Sequence, residues 1–345
     1  MKTVKIWNSR YLLRQKMRNR QDKSVFCPDI IVLIICVAGN IIHKKLSEKG
    51  KYAMKEKQYT GHIMALVCVT IWGSTFVVSK GLMEFLNPVQ LMLLRFVLAY
   101  AALWVVHPKW YFKWKEEWRF LLMALFANTL YYLAENTAIT LTQTTNVSIL
   151  VSTSPIVTAL LLPLFYKDEK PNPRQAAGFA VSFAGVVLVV FNGAFALKLQ
   201  PLGDLLALGA AVCWAVYGIL LRRWSDLYDS ALISRKLMFY GTLMVIPLVV
   251  MSGQPIDFAS LMTVTNLAKL AFLGFVGCAA CYLLWNGAIC KIGVLTANIY
   301  IYLVPLVTLV VSAVVIKEKI TLMGFAGILL VIAGMVYATL AEKKQ

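Results

Sequence analysis

His62–Leu82, HIMALVCVTIWGSTFVVSKGL, is apolar enough and long enough to cross a bilayer, which needs about 20 residues. A stretch of the same character returns at Leu205–Trp224, LLALGAAVCWAVYGILLRRW, and puts Trp214 in the place Trp72 holds in the first, 142 residues on. Further matches follow in the same order. Tyr132–Ile139, YLAENTAI, is echoed 150 residues later by Tyr282–Ile289, YLLWNGAI. Ser154-Pro155 matches Val304-Pro305 at that offset, and Glu169-Lys170 matches Glu318-Lys319. Gly178 and Gly185 then correspond to Gly327 and Gly334. The chain reads as one membrane unit written twice.

Composition supports that class and excludes others. Of 345 residues, 60% are hydrophobic and 14% charged, and mean hydropathy is +0.72. Soluble domains average roughly 45–50% and about 25%. A water-soluble protein this apolar lacks polar side chains to cover itself. The net charge of +18 is uneven, since residues 1–53 hold twelve Lys+Arg against three acids, half of the total. Most other bases fall between apolar runs and not along one face, which favours an anionic bilayer surface over nucleic acid. The seven cysteines lie nearly all inside apolar runs. Cys278-x-x-Cys281 has no second pair and no nearby His, so it reads as helix packing. With only His43, His62 and His107, no Ser-His-Asp or Cys-His set assembles, and no Gly-rich phosphate loop occurs. The expectation is no enzyme, no ATP-driven pump, no cofactor and no metal.

Residues 1–57 read as a basic N-terminal extension. Its apolar segment, 30–42, is short for a span, and Lys44-Lys45 follow it where a cleavage site would need small residues. A tail upstream of an alternative start at Met54 and an interfacial helix are both open. Ten spans follow, near 62–82, 88–107, 118–138, 144–165, 174–192, 202–222, 231–251, 267–289, 294–316 and 321–340. They divide into a first repeat, 58–192, and a second, 202–340. Each is too long for a barrel strand of about ten residues. Backbone groups in lipid must pair within their own segment, so these are helices. Lys and Arg of the short loops fall about 12 to 5 toward the side on which the first span begins, which puts both termini in the cytoplasm. The predicted fold is an all-α polytopic membrane protein with ten transmembrane helices in two inverted five-helix repeats. An odd number of spans per copy forces the second copy in upside down, about a pseudo-twofold axis in the membrane plane.

Polar groups within spans are costly unless they face protein or water. The candidates for a substrate cavity are Trp72, Tyr131, Asn136, Asn146, Trp214, Tyr282, Trp285 and Asn298. Trp72 and Trp214 lie too deep for an interfacial belt, which leaves cavity lining or core packing. Asn136 and Asn286 divide evenly between interhelical bonds and a cavity role. Pro155 and Pro305, mid-span and matched between the copies, are candidate hinges. Arg95 and Glu135 are candidate charges at the outer mouth. Either could snorkel or pair structurally; otherwise Arg95 would attract an anionic group and Glu135 would couple protons, a role against which its counterpart Trp285, which cannot titrate, speaks.

Trp72-Gly73-Ser74-Thr75-Phe76, Arg95-Phe96, Pro155 and Lys167-Asp168-Glu169-Lys170 with Gly178 and Gly185 resemble EamA-type members of the drug/metabolite transporter superfamily. So do Trp214-Ala215-Val216-Tyr217, Asn298, Pro305 and Lys317-Glu318-Lys319-Ile320-Thr321 with Gly324, Gly327 and Gly334. The resemblance spans about residues 60–340. It implies ten helices in two inverted bundles around a central cavity. It also implies movement of amino acids, other metabolites or toxic compounds, often outward across a bacterial inner membrane. The sequence thus reads as a carrier that exports a small organic solute by alternating access, with the bilayer as its partner. Proton or counter-substrate coupling and oligomeric state stay open. A passive facilitator of the same fold and a non-transporting membrane scaffold are the alternatives.

Overall fold

The computed structural model describes residues 58–142, 144–167, 170–191, 200–315 and 321–342. The basic extension with its 30–42 segment, Glu169, and the Glu318-Lys319 pair lie outside these residues. Every regular element among them is helical. We number the helices α1 (Gln58–Leu82) and α2 (Pro88–Val106), then α3, which joins Trp114–Ala124, a π-helical Leu125–Leu130 and Tyr131–Leu141. α4 joins Thr144–Val151 and Ser154–Phe165, and α5 is Pro173–Phe191. α6 is Pro201–Trp224 and α7 is Ser230–Ser252. α8, Val264–Ile292, is π-helical over Phe272–Ala280. α9 passes from Val294–Ile299 through a 3-10 turn, Tyr300–Leu303, into Val304–Val315, and α10 is Leu322–Glu342.

α1, α2, the Val147–Phe165 part of α4, α6, α7 and α8 are long and apolar enough to cross a membrane. Large side chains such as Leu66, Leu160, Leu205 and Val250 face outward on them, as lipid-facing positions require. The chain is an all-helical, multi-pass membrane protein.

Local chemistry fixes the helix ends. Asn87 and Gln90 form a reciprocal capping box ahead of Pro88, and Asn172 and Gln175 do the same ahead of Pro173. Asp229 caps α7 by accepting from Leu232 N at 2.8 Å. α7 ends at Gly253, whose φ of +61° is the left-handed conformation glycine adopts without strain. Pro155 and Pro305, expected mid-span, each stand second in a restarted helical segment. There the missing N–H costs no helical bond, because the chain has already broken at Ser152-Thr153 or tightened into the 3-10 turn. Pro163 and Pro247 are the prolines inside helices.

Two helix pairs carry the packing that matters below. α5 and α10 meet through small residues. A methyl placed on Gly178 would come within 2.6 Å of Ala338 Cβ and 2.8 Å of Gly334 O. One on Gly185 would come within 2.6 Å of Val331 N and 2.8 Å of Gly327 O. The numbers rise along one helix as they fall along the other, so the two run antiparallel at backbone contact. α2 and α7 are also antiparallel. Asn87 and Gln90 at the start of α2 bond Gln254 and the Pro255 carbonyl past the end of α7. Arg235 near the start of α7 donates to the carbonyls of His107 (2.5 Å) and Lys109 (2.6 Å) past the end of α2.

Candidate functional site

The polar and aromatic residues of α1, α3, α4, α6 and α9 converge on an internal cavity. Its walls are Trp72, Thr75 and Phe76 from α1, Tyr131, Tyr132 and Glu135 from α3, Ser148, Val151, Ser152 and Ser154 from α4, Trp214 from α6, and Ile301 and Val304 from α9. The cavity volume is ≈ 40 Å³, enough for a few waters and too little for an organic solute.

The elements that build these walls depart from ideal helix at the same places. Tyr131 and Tyr132 follow directly on one π-helical stretch, and Cys281 and Tyr282 follow on the other. Extra backbone in a π turn re-aims the side chains after it. Ser152 lies in the break in α4 with Ser154 just after it, and Ile301 lies in the 3-10 turn of α9 with Val304 just after it. Irregular backbone at membrane depth is tolerated where it lines a cavity.

Aromatic side chains form much of the wall. The Trp72 ring stands nearly perpendicular to Trp214 at 5.2 Å and lies 5.1 Å from Trp285. Tyr131 lies 5.1 Å from both Trp214 and Tyr132. The indole N–H of Trp72 donates to Gly277 O at 3.1 Å, an acceptor on α8, which fixes the ring.

Of the residues expected in the cavity, Trp72, Tyr131 and Trp214 line it. Trp285 lies behind them against both tryptophans, buried with its indole N–H unpartnered. Tyr282 is buried and donates to Ala127 O at 2.7 Å, holding α8 to α3. Asn298 donates to Thr158 at 2.8 Å and ties α9 to α4. Asn136 is buried with its amide nitrogen unpartnered. The Asn146 side chain lies outside what the structure describes. Asn286, left evenly balanced, accepts from Tyr217 and donates to Ser234 at 2.9 Å, an interhelical bond. Arg95 is not at a mouth, being 2% exposed, and Glu135 is likewise interior, on the cavity wall.

Phe76 and Thr75 are not among the sequence candidates. Phe76 sits one turn from Trp72 and Thr75 three residues from it, so helical spacing would have found them. Tyr132 belongs, with Ser148, Ser152 and Ser154, to the polar cluster of the third and fourth spans, though not to the cavity candidates. Ser154, buried with an unpartnered hydroxyl, could be singled out only once the break in α4 was visible.

The model of the EamA-like transporter family matches the chain twice, over residues 59–191 and 201–340. The chain belongs to the EamA-like transporter family. Among its relatives, an "uncharacterized transporter" of Archaeoglobus fulgidus is 33% identical over 82% of this chain and 98% of its own length. A "probable amino-acid metabolite efflux pump" of Escherichia coli K12 is 26% identical over 79% of this chain and 92% of its own. A solved crystal structure superposes with a TM-score of 0.69 at 17% identity, over 83% of this chain and 99% of that one, and so shares the fold. This EamA-family chain is a membrane transporter by family, with an aromatic, partly polar cavity at its centre.

Proposed function

We propose that the protein exports small organic solutes, amino acids and related metabolites among them, by alternating access between two inverted five-helix repeats. The observation that carries this reading is the contact of Trp72 with Trp214, residues in matched places 142 apart, at the wall of the cavity. Matched residues meet each other only near a twofold axis. The α5–α10 contact supports the same axis. Gly178 faces Gly334 and Gly185 faces Gly327, a reciprocal exchange of matched positions, and Ser182 Oγ reaches the carbonyl of Val331, its own counterpart 149 residues on. The double family match, over 59–191 and 201–340, fits two copies of one unit. Two packings of such a pair exchange by rocking one repeat against the other, with bends at the breaks before Pro155 and Pro305. The cavity of ≈ 40 Å³ must widen to admit an organic solute, which rocking of the repeats would provide. Export follows the name carried by the Escherichia coli relative. The charge bias of the short loops supports both termini in the cytoplasm, and a bacterial inner membrane is the setting that the family resemblance implies.

Purified protein in liposomes, given a broad panel of metabolites, tests this. Flux is expected for at least one solute class, and Trp214→Ala is expected to reduce it without lowering the amount of protein in the membrane. Absence of flux for every solute would favour a scaffold. Equal loss of flux and abundance in the variant would make Trp214 a packing residue.

A further inference from the structure

Arg95 and Glu135 are both interior, and among the described residues neither has an opposite charge within ion-pair distance. Ionised groups at such depth are costly unless paired. Each is instead held by a tyrosine. Arg95 Nη2 donates to the Tyr132 oxygen at 3.2 Å, Nε donates to Cys278 Sγ at 3.1 Å, and the guanidinium carbon lies 4.2 Å from the centre of the Tyr132 ring. Glu135 accepts one hydrogen bond, from the Tyr131 hydroxyl at 2.7 Å. A carboxylate with a single donor has most of its capacity unused. Tyr132 and Glu135 both line the cavity, three residues apart on one helix face, and the adjacent Ser154 hydroxyl is buried without a partner.

Packing does not require these charges. Leu237 stands 142 residues after Arg95 and Trp285 stands 150 after Glu135, and the helices there are as continuous and as buried. At the matching tyrosine, Tyr282, the hydroxyl bonds a backbone carbonyl and no cation. One half of the molecule therefore carries two opposite charges, Glu135 on the cavity wall and Arg95 behind it, within electrostatic reach of each other but not in direct contact, that the other half does without.

We propose that Arg95 and Glu135 form a dipolar binding site for a zwitterionic solute, with its anionic group on Arg95, its cationic group on Glu135, and its apolar part against Trp72, Phe76 and Trp214. The inference rests on the transport reading above. Binding completes both charges at once. It requires Tyr132 to yield its bond from Arg95 and the cavity to widen, so entry and recognition are one event. A solute with only one of the two charges leaves the other residue buried and unpaired.

Counterflow of labelled phenylalanine in liposomes tests this, with phenylalaninamide (cation only) and N-acetylphenylalanine (anion only) as competitors. Each competitor is expected to act at least about tenfold more weakly than phenylalanine on the wild-type protein. Glu135→Gln should erase the discrimination against N-acetylphenylalanine and keep that against the amide. Arg95→Met should do the reverse, and Arg95→Lys should keep part of the wild-type pattern. If Arg95→Met does not reach the membrane, the near-isosteric Glu135→Gln carries the test. Equal competition by all three compounds, or unchanged discrimination in Glu135→Gln, overturns the site. Liposomes that move other solutes but no zwitterion overturn it and leave transport standing. Liposomes that move nothing sink both.

Discussion

The two ends of the α2–α7 pair are closed by different physics. Where α2 finishes and α7 begins, Lys236 bonds both oxygens of Glu117 at 2.9 Å, Tyr240 donates to the same carboxylate at 2.6 Å, and Lys113 N donates to it at 3.2 Å. The pair is 8% and 7% exposed. Where α2 begins and α7 finishes, the matched places are apolar, with Leu94 for Lys236 and Leu98 for Tyr240. These pack on a separate core of Leu82, Leu86, Leu91, Leu261, Leu270 and Leu273. The division extends to the helix C-termini. Arg235 serves the open carbonyls past α2, while the neutral Gln90 serves those past α7. One backbone arrangement thus accepts an ionic seal or a leucine seal. The charges at the first end answer a need other than folding, and under the proposed orientation that end faces the cytoplasm.

The largest effect should come from unbalancing the ionic seal. Lys236→Met or Glu117→Gln leaves its partner's polar groups buried and poorly paired, at a cost of about 3–5 kcal/mol for a fully uncompensated charge. Chemical denaturation in mixed micelles reads that loss. The triple change Lys236→Leu, Glu117→Leu, Tyr240→Leu copies the leucine end onto the ionic one and should recover most of it. A triple variant no more stable than the single ones would mean that the two ends are not interchangeable, and the comparison would break.

The leucine end should fail by cavity formation alone. Leu273 is fully buried, and Leu273→Ala is expected to cost about 2–4 kcal/mol, independent of pH. A smaller effect belongs to Arg235, whose guanidinium also lies 4.3 Å from the centre of the Trp104 ring. Arg235→Gln should cost about 1–3 kcal/mol in the same assay, because glutamine can still donate to one carbonyl but loses the charge and the ring contact. A cost as large as that of Lys236→Met would mean the guanidinium, and not the Glu117 pair, holds this end.

The gross fold was legible because membrane helices announce themselves by length and apolarity, and because the duplication could be counted in residue offsets. The charged end was not. Glu117 and Lys236 are 119 residues apart and each reads as an ordinary loop-edge charge until the helices are placed. The same limit misplaced Arg95. A position two turns past Asn87-Pro88 suggests a mouth, and only the packing of α8 and α3, which bring Cys278 and the Tyr132 ring around it, reveals an interior cation. Of the cavity, the tryptophans were legible from depth and pairing. The serines of α4 were not, because back-bonding to a helix is the ordinary use of serine in a span, as Ser152 illustrates by donating to Ser148 O.

The smallest expected effect is a pH response at the ionic end. Glu116 there accepts from Tyr111, from Tyr228 at 2.9 Å and from Lys113 at 3.4 Å, while Arg119 donates to Tyr228 at 2.7 Å. The bond from Tyr111, then that from Tyr228, holds the Glu116 carboxyl below the usual carboxylate range. Burial, then the bond to Glu116, pushes the Tyr111 hydroxyl up to about 12. A carboxyl lowered on folding adds stability that is present above its unfolded value of 4.5 and is lost as pH falls through the folded one. A phenol raised on folding adds stability that is complete below its unfolded value of 10.0 and is lost as pH climbs to about 12. The stability profile should therefore slope down at both edges. Tyr111→Phe should weaken the alkaline slope, part of which Tyr228, also raised by burial and then by its bond to Glu116, retains, and should shorten the acid one, with little change at neutral pH. An alkaline slope unchanged by Tyr111→Phe would place the titrating phenol elsewhere, and a flat wild-type profile would remove the proton response from this end.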